Sequence, residues 1–338
     1  MTTDSSNKPQ GKPALIWQRP MWVSLFALTA AVAWGWAYPL IKLGFEEFRI
    51  EGADAGSKML FAGIRFAVSG LIILAAARAR HCRMTPARGS DWLMVLAFAL
   101  VNTTLHYAFF YIGLWYSAGS RAAILNSLSV FAVVLLACVF FRSDRLTTRK
   151  IAGCAMGIAG IIALNMGGTQ SGDFNLLGDG LIALNALCGA AASLMTRPLS
   201  RRIDIFAGTG YSLTIGGALL LMAALPMGGT LPRITLWGTI ILLLLIAIST
   251  IGFTLYNKLL SCNPVGKVAI FNSLIPVVGA VTSCMCLNEP FQPKYAIAAV
   301  LAAAGIYIIN KGKNNRWTTK KPEQPIRYSA AIIWQLWL

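Results

Sequence analysis

Hydrophobic residues fall in long blocks along this chain, separated by short polar segments that are mostly basic. Trp22 to Ile41 contains no acidic or basic residue, and the same holds for Ala122 to Phe141 and for Ile205 to Pro232. About 20 apolar residues in helical form cross a hydrocarbon core. Strands of a membrane barrel would be shorter and would alternate apolar with polar positions, which these blocks do not. The pattern predicts ten spans, at about 22–44, 57–79, 92–114, 118–141, 149–167, 177–197, 205–227, 234–258, 266–288 and 292–311. Their connections are too short to hold a soluble domain. The expected fold class is an all-α polytopic membrane protein of ten transmembrane helices, with a polar tail over 1–21 and a basic tail over 312–338. The first block is too long for a signal-peptide core and has no small-residue cleavage site behind it, so it is expected to stay as a span.

One phrase is written twice. "SRAAILNSLSV" begins at Ser120 and "GKVAIFNSLIP" at Gly266, 146 residues later. "LHYAFFYIGLWYSAGSRAAILNSL" aligns without gaps on "IGFTLYNKLLSCNPVGKVAIFNSL", and "DRLTTRKIAGCAMGIAGIIALN" follows "EPFQPKYAIAAVLAAAGIYIIN" after one gap. The chain therefore reads as five spans over 22–167 and five again over 177–311. An odd number of spans inverts the second copy in the membrane. Two inverted repeats can exchange conformations, one opening a cavity inward and the other outward, with the substrate site near the midplane between them.

Composition and charge sharpen this picture. The chain is 57% hydrophobic and 12% charged, against about 25% charged in soluble domains. With the N-terminus in the cytoplasm, 22 of the 29 Lys and Arg fall in the two tails and in the 2–3, 4–5, 6–7 and 8–9 connections, as the positive-inside rule requires. The 4–5 connection carries Arg142, Arg145, Arg149 and Lys150, whereas its repeat counterpart, 9–10, carries only Lys294. Both termini are expected inside, in a cytoplasmic (inner) membrane. The net charge of +17 sits in short loops beside spans, so anionic lipid headgroups are the expected partner and nucleic acid is not. Seven cysteines fit neither a zinc pattern nor a disulfide framework. No cofactor or metal is expected, and no phosphate-binding Gly-Lys-Ser/Thr loop points to ATP.

Several stretches carry a family resemblance: "WGWAYPLIKLG" in span 1, "GIRFAVSGLIIL" in span 2, "FFYIGLWYSAGSRAAILNSLSVFAVVLLACVFFRSDRLT" across spans 3–4, and "YNKLLSCNPVGKVAIFNSLIPVVGAVTSCMCLNEPF" across spans 8–9. Over about residues 22–311 the chain resembles the drug/metabolite transporter superfamily, in its EamA-type ten-span group. The resemblance implies a transporter of small organic solutes such as amino acids, metabolites or sugars, and it alone suggests export. The family's mid-span proline is Pro276 in span 9, but the matching position in span 4 is Val130, so the halves are expected to bend differently. The family's Glu after each of these spans is Asp144 in the first half and Glu289 in the second.

Candidate binding residues are the polar and aromatic side chains at mid-span. Asn126 and Ser127 in span 4, and Asn272 and Ser273 in span 9, lie about 12–14 Å into their helices at 1.5 Å per residue. Two readings stand side by side: hydrogen bonding between helices or the lining of a cavity. Pro276 frees the carbonyl of Asn272 from its helical bond, adding a backbone acceptor beside that amide. Trp34 sits too deep in span 1 for an interface anchor, which favours an aromatic cavity wall with Tyr38 over plain packing. Tyr107 and Tyr111 share a face of span 3, as do Asn102 and His106, and Phe253, Tyr256 and Asn257 occupy the matching stretch of span 8. The expected chamber is aromatic, rich in amides and hydroxyls, and free of fixed charge at the midplane. That suits a neutral or zwitterionic solute with an apolar part.

Intramembrane ionisable groups are functional candidates by default. No carboxylate is expected to be buried in a span, which argues against a carboxylate proton relay. His106 is the one deep group that titrates near neutral pH, a candidate for proton coupling or else a hydrogen-bonded neutral histidine. Arg65 should face the interior or snorkel, either contacting a carboxylate or tying spans together. Lys42, Arg121 and Lys267 are expected to snorkel at span ends. Small residues from Gly153 to Gly160 make a close-packing face, within the protomer or in a homodimer. Besides a secondary transporter, two other classes fit a polytopic chain. An intramembrane enzyme acting on a lipid-linked substrate would need a carboxylate pair, an activated nucleophile or a metal cluster. A membrane assembly protein would not need inverted halves around polar midplane residues.

Overall fold

The computed structural model describes residues 16–52, 54–86, 88–140, 147–165, 175–263, 268, 270–289 and 293–311. Helical segments occupy all ten expected positions, and the described residues contain no strand. Span 1 is α1 (Pro20–Glu47) and span 2 is α2 (Ala55–Ala79). Span 3 is α3 (Asp91–Ala99), a π-helical stretch (Leu100–Leu105) and α4 (His106–Tyr116). Span 4 is α5 (Gly119–Leu125) and α6 (Leu128–Phe140). Span 5 is α7 (Thr148–Asn165). Span 6 is a π-helical turn (Leu176–Gly180) leading into α8 (Leu181–Ser200). Spans 7 and 8 are α9 (Ile205–Ala224) and α10 (Leu236–Cys262). Span 9 is a 3-10 turn (Ile270–Ser273) followed by α11 (Leu274–Cys286), and span 10 is α12 (Pro293–Lys311).

Six of these helical stretches are long and apolar enough to cross a membrane: Pro20–Glu47, Ala55–Ala79, Asp91–Tyr116, Leu176–Ser200, Ile205–Ala224 and Leu236–Cys262. Ile151–Gly160 and Leu274–Cys286 are shorter apolar helices. The outer surface bears Leu25, Val32, Trp36, Leu71, Leu93, Leu243 and Val300, all exposed. Water would penalise so broad an apolar surface, and lipid does not. The protein is an all-α polytopic membrane protein.

Local chemistry sets the helix ends. Pro20 starts α1, where its missing N–H costs nothing. The side chains of Asp54, Asp204 and Thr235 accept from Ser57 N (2.7 Å), Phe206 N (2.9 Å) and Gly238 N (2.8 Å), satisfying otherwise orphaned donors of α2, α9 and α10. The doubled phrase behaves alike in both halves. Span 4 breaks at Asn126–Ser127 and span 9 is a 3-10 turn through Asn272–Ser273. Different bending was expected because span 4 lacks the proline. Asn and Ser compete with the helical ladder by themselves, so both spans are irregular at this pair.

Glycine lets helices meet backbone to backbone. A Cβ on Gly217 of α9 would lie 2.4 Å from the Ala67 nitrogen of α2, and one on Gly305 of α12 would lie 2.4 Å from the Gly153 carbonyl of α7. Thus α2 packs on α9 and α7 on α12. The small-residue face from Gly153 to Gly160 is buried within the protomer at this contact. Around the middle, α1 packs against α10 and α11, and α8 packs against α4 and α6.

Two polar clusters mark the two ends of the bundle. At one end Arg202 pairs with Asp91 (3.0 Å) and Asn263 Nδ2 donates to the Trp17 carbonyl (2.8 Å). At the other, Arg121 grips Asp179 with Nε at 3.0 Å and Nη2 at 2.6 Å, both residues 4% exposed. Arg121 therefore does not snorkel as expected, and a span does bury a carboxylate: Asp179, in the first turn of span 6. Burial of each charge is offset by the other. Glu289 Oε1 accepts from Gly119 N (2.8 Å), and its Oε2 accepts from Ser120 N (3.1 Å) and Ser120 Oγ (2.7 Å). Lys42 lies 3.7 Å from Glu289 rather than reaching outward. Lys267 and Asp144 lie outside the described residues.

Candidate functional site

Where spans 1, 2, 3, 4, 6, 8 and 9 converge they line a cavity of about 120 Å³. Helical periodicity selects its walls. Span 1 contributes Trp34, Ala37, Tyr38 and Ile41, and span 4 contributes Asn126, Ser129, Val130 and Val133. Both sets follow the i, i+3, i+4, i+7 spacing of one helix face. Span 3 adds Asn102, His106, Tyr107 and Phe110, span 6 adds Gly189 and Ser193, and span 8 adds Phe253, Tyr256 and Asn257. Asn272 and Ile275 come from span 9 and Arg65 from span 2.

The polar residues of the wall are also cross-links. Asn126 Nδ2 donates to Tyr38 OH (2.9 Å), and its Oδ1 accepts from Asn185 Nδ2 (2.9 Å), joining spans 1, 4 and 6. In the second half Asn272 Nδ2 donates to Tyr256 OH (2.7 Å), joining spans 9 and 8. Asn102 Nδ2 donates to Ser212 Oγ (3.0 Å) and Asn257 Nδ2 to Thr209 Oγ1 (3.1 Å), so both lean on span 7. Asn126 and Asn272, for which packing and cavity lining were both open, each line the cavity and bond a neighbouring helix, so the two roles do not exclude one another. The π-helical stretch that carries Asn102 inserts an extra residue into the turn, a device frequent at functional sites.

Aromatic rings fill the space between these bonds. Trp34 stands edge-on to Phe253 (5.3 Å) and Tyr256 (5.1 Å), and its buried Nε1 makes no hydrogen bond. Tyr38 meets Phe110 at 5.3 Å, and Tyr107 stacks on Phe66 at 4.0 Å. Two glycines give the deepest rings room. A Cβ on Gly252 would come within 2.7 Å of Trp34 Nε1, and one on Gly189 within 2.8 Å of His106 Cε1.

Ten of the fourteen candidates from the sequence line this cavity: Trp34, Tyr38, Asn102, His106, Tyr107, Asn126, Phe253, Tyr256, Asn257 and Asn272. Tyr111 is fully buried behind the wall and bonded to Arg65, Ser127 is buried away from it, and Pro276 packs inside α11. The side chain of Ser273 lies outside the described residues. Sequence reasoning missed the span 6 wall, although Asn185, Gly189 and Ser193 recur every four residues on one face. It also placed no charge at the midplane, whereas Arg65 is in the wall.

A membrane-spanning helical bundle with an aromatic, amide-lined cavity between its helices belongs to the solute-carrying class of membrane proteins. A model of the EamA-like transporter family matches residues 21–166 and again 176–311, and the chain belongs to that family. It is 26% identical to an uncharacterized transporter of Archaeoglobus fulgidus, over 84% of this chain and 95% of that one. A probable amino-acid metabolite efflux pump of Salmonella typhimurium is 25% identical, over 83% of this chain and 92% of the relative. An uncharacterized inner membrane transporter of Escherichia coli is 28% identical, over 85% and 83%. A crystal structure of a protein shares the fold, with a TM-score of 0.65 at 18% identity over 85% of this chain and 97% of that one.

Proposed function

We propose that this protein is a secondary transporter that moves a small organic solute, an amino acid or related metabolite, outward across the cytoplasmic membrane. The observation that carries this reading is the central cavity, built from both halves of the chain and lined by rings and amides. The reading gains support from the Salmonella relative's name and from the packing pattern. Contacts of span 1 with spans 8 and 9 are answered by contacts of span 6 with spans 3 and 4, and spans 2 with 7 and 5 with 10 pair with each other. Such exchange symmetry is what two five-span repeats would produce, and the charge bias of the connections supports cytoplasmic termini. The Glu289 and Arg121–Asp179 clusters then lie on the outer side and hold it closed. Among the described residues no group of three or more His, Cys, Asp or Glu could hold a metal ion, and the cavity wall holds no carboxylate pair.

Reconstitution into liposomes and counterflow of labelled amino acids and neutral metabolites tests the proposal. Wild type should exchange at least one solute, and Trp34→Ala and Asn272→Ala should each cut exchange about tenfold or more, because each removes a cavity wall. Absence of counterflow for every solute would remove the transport reading. Normal exchange by both variants would instead move the binding site elsewhere.

A further inference from the structure

Arg65 is a buried cation that meets no counter-charge among the described residues. It is 1% exposed and lines the cavity. Its Nε donates to the Leu245 carbonyl (3.1 Å) and Ser249 Oγ (2.7 Å), and Nη1 donates to Tyr111 OH (2.9 Å). The Phe66 ring lies 4.9 Å from its Cζ. Every one of these partners is neutral. Among the described residues no carboxylate pairs with Arg65, and Nη2 makes no hydrogen bond. Ser69 Oγ, at 2.7 Å from the Arg65 carbonyl and 3.1 Å from that of Ile246, fixes the backbone beneath it.

Tying span 2 to spans 3 and 8 needs only a neutral donor. A guanidinium at this depth costs several kcal/mol unless a negative charge meets it. Its three bonds leave one N–H of Nη1 and both of Nη2, the edge of the fork that matches the two oxygens of a carboxylate. Besides its amides and hydroxyls, the wall is apolar over Trp34, Phe110, Val130, Val133, Phe253 and Ile275. Its volume of about 120 Å³ compares with ~150 Å³ in an engineered cavity that admits benzene. A small apolar side chain is of that order of size.

We infer that Arg65 is the carboxylate anchor of the cavity. Its free edge receives the carboxylate of a small organic acid, and the apolar body of that acid, aliphatic and aromatic amino acids included, lies against Trp34, Phe110 and Phe253. Cations lacking a carboxylate are repelled. The inference rests on the transport reading only for what binding leads to. It adds the chemical class of the solute and the residue that selects it.

Matched pairs test it on the purified full chain: phenylalanine against phenylalaninamide and phenethylamine, and isovalerate against isovaleramide, with the shift in melting temperature as readout. Acids should stabilise wild type while their amides and the amine do not. Arg65→Gln should abolish that preference. Arg65→Lys keeps the charge but loses the fork, and it should bind the acids roughly 10- to 100-fold more weakly. Equal stabilisation by acid and amide overturns the anchor, as does a series in which no acid binds. A folded Arg65→Gln that still prefers acids also overturns it. Should Arg65→Gln fail to fold, the wild-type pairs and Arg65→Lys decide. Acids that bind without counterflow leave the anchor standing and remove the transport reading. Counterflow that ignores the carboxylate does the reverse.

Discussion

Trp34 keeps its place because Gly252 opposite it has no side chain. The indole is held between the edges of Phe253 and Tyr256, and a Cβ at residue 252 would sit 2.7 Å from its Nε1. A methyl group there has to push the ring into the cavity or push α10 away from α1. Overpacking of this kind costs about 1–3 kcal/mol. Gly252→Ala is therefore expected to lower the melting temperature modestly and to weaken solute binding more than the fold, since the ring that moves is part of the wall. The check is counterflow at saturating and limiting solute. A raised KM with a nearly unchanged maximal rate fits a crowded site, whereas an unchanged KM would mean that Trp34 does not touch the solute.

Elements that never reach the cavity still set its geometry. Spans 5 and 10 lie outside the cavity wall and lock to each other. A Cβ on Gly305 would meet the Gly153 carbonyl at 2.4 Å, and one on Gly157 would meet the Phe131 ring of α6 at 1.9 Å. In lipid, helices associate through such close approach rather than through hydrophobic burial. Gly305→Leu should separate α7 from α12 and lower the yield of folded protein in detergent, while the same change at an exposed α12 position such as Val300 should do nothing measurable. Size-exclusion profiles of the two variants decide between them. This contact was half legible in the sequence: the small-residue spacing named the face but not what covers it. The same division runs through the fold. Hydropathy alone located all ten helical positions, because burial in lipid is a local property of a 20-residue window. The π-helical stretch at Leu100–Leu105 was not legible, since the Asn102 and Thr103 side chains bond Ser212 more than 100 residues away. Arg65 was ambiguous for the same reason: its partners Leu245 and Ser249 lie about 180 residues on. Span 6 was missed because the alignment of the repeats stopped short of it, although its four-residue spacing was there to be read.

At the scale of the whole molecule, the two ends of the bundle carry different polar contacts. On the Glu289 side, one carboxylate holds the first turn of α5 through three hydrogen bonds and faces Lys42 of α1. If the halves exchange conformations, that grip must open in the other state, and the alignment of the repeats makes Asp144 the residue expected to take over its role there. Glu289→Gln keeps the size of the side chain and loses its charge, weakening bonds worth about 1.5–3 kcal/mol each to an ionised acceptor. Loss of one such bond moves a two-state equilibrium roughly 10- to 100-fold. A cysteine in place of Ser129, which lines the cavity, reports that equilibrium once the native cysteines are replaced. Glu289→Gln should speed its labelling by an impermeant thiol reagent added from the Glu289 side, which the proposed topology makes the cell exterior. Asp144→Asn should slow it, because the two carboxylates would hold opposite states. Shifts in the same direction for both variants would break the exchange of halves, while the central cavity and its Arg65 would remain as a binding site without a moving gate.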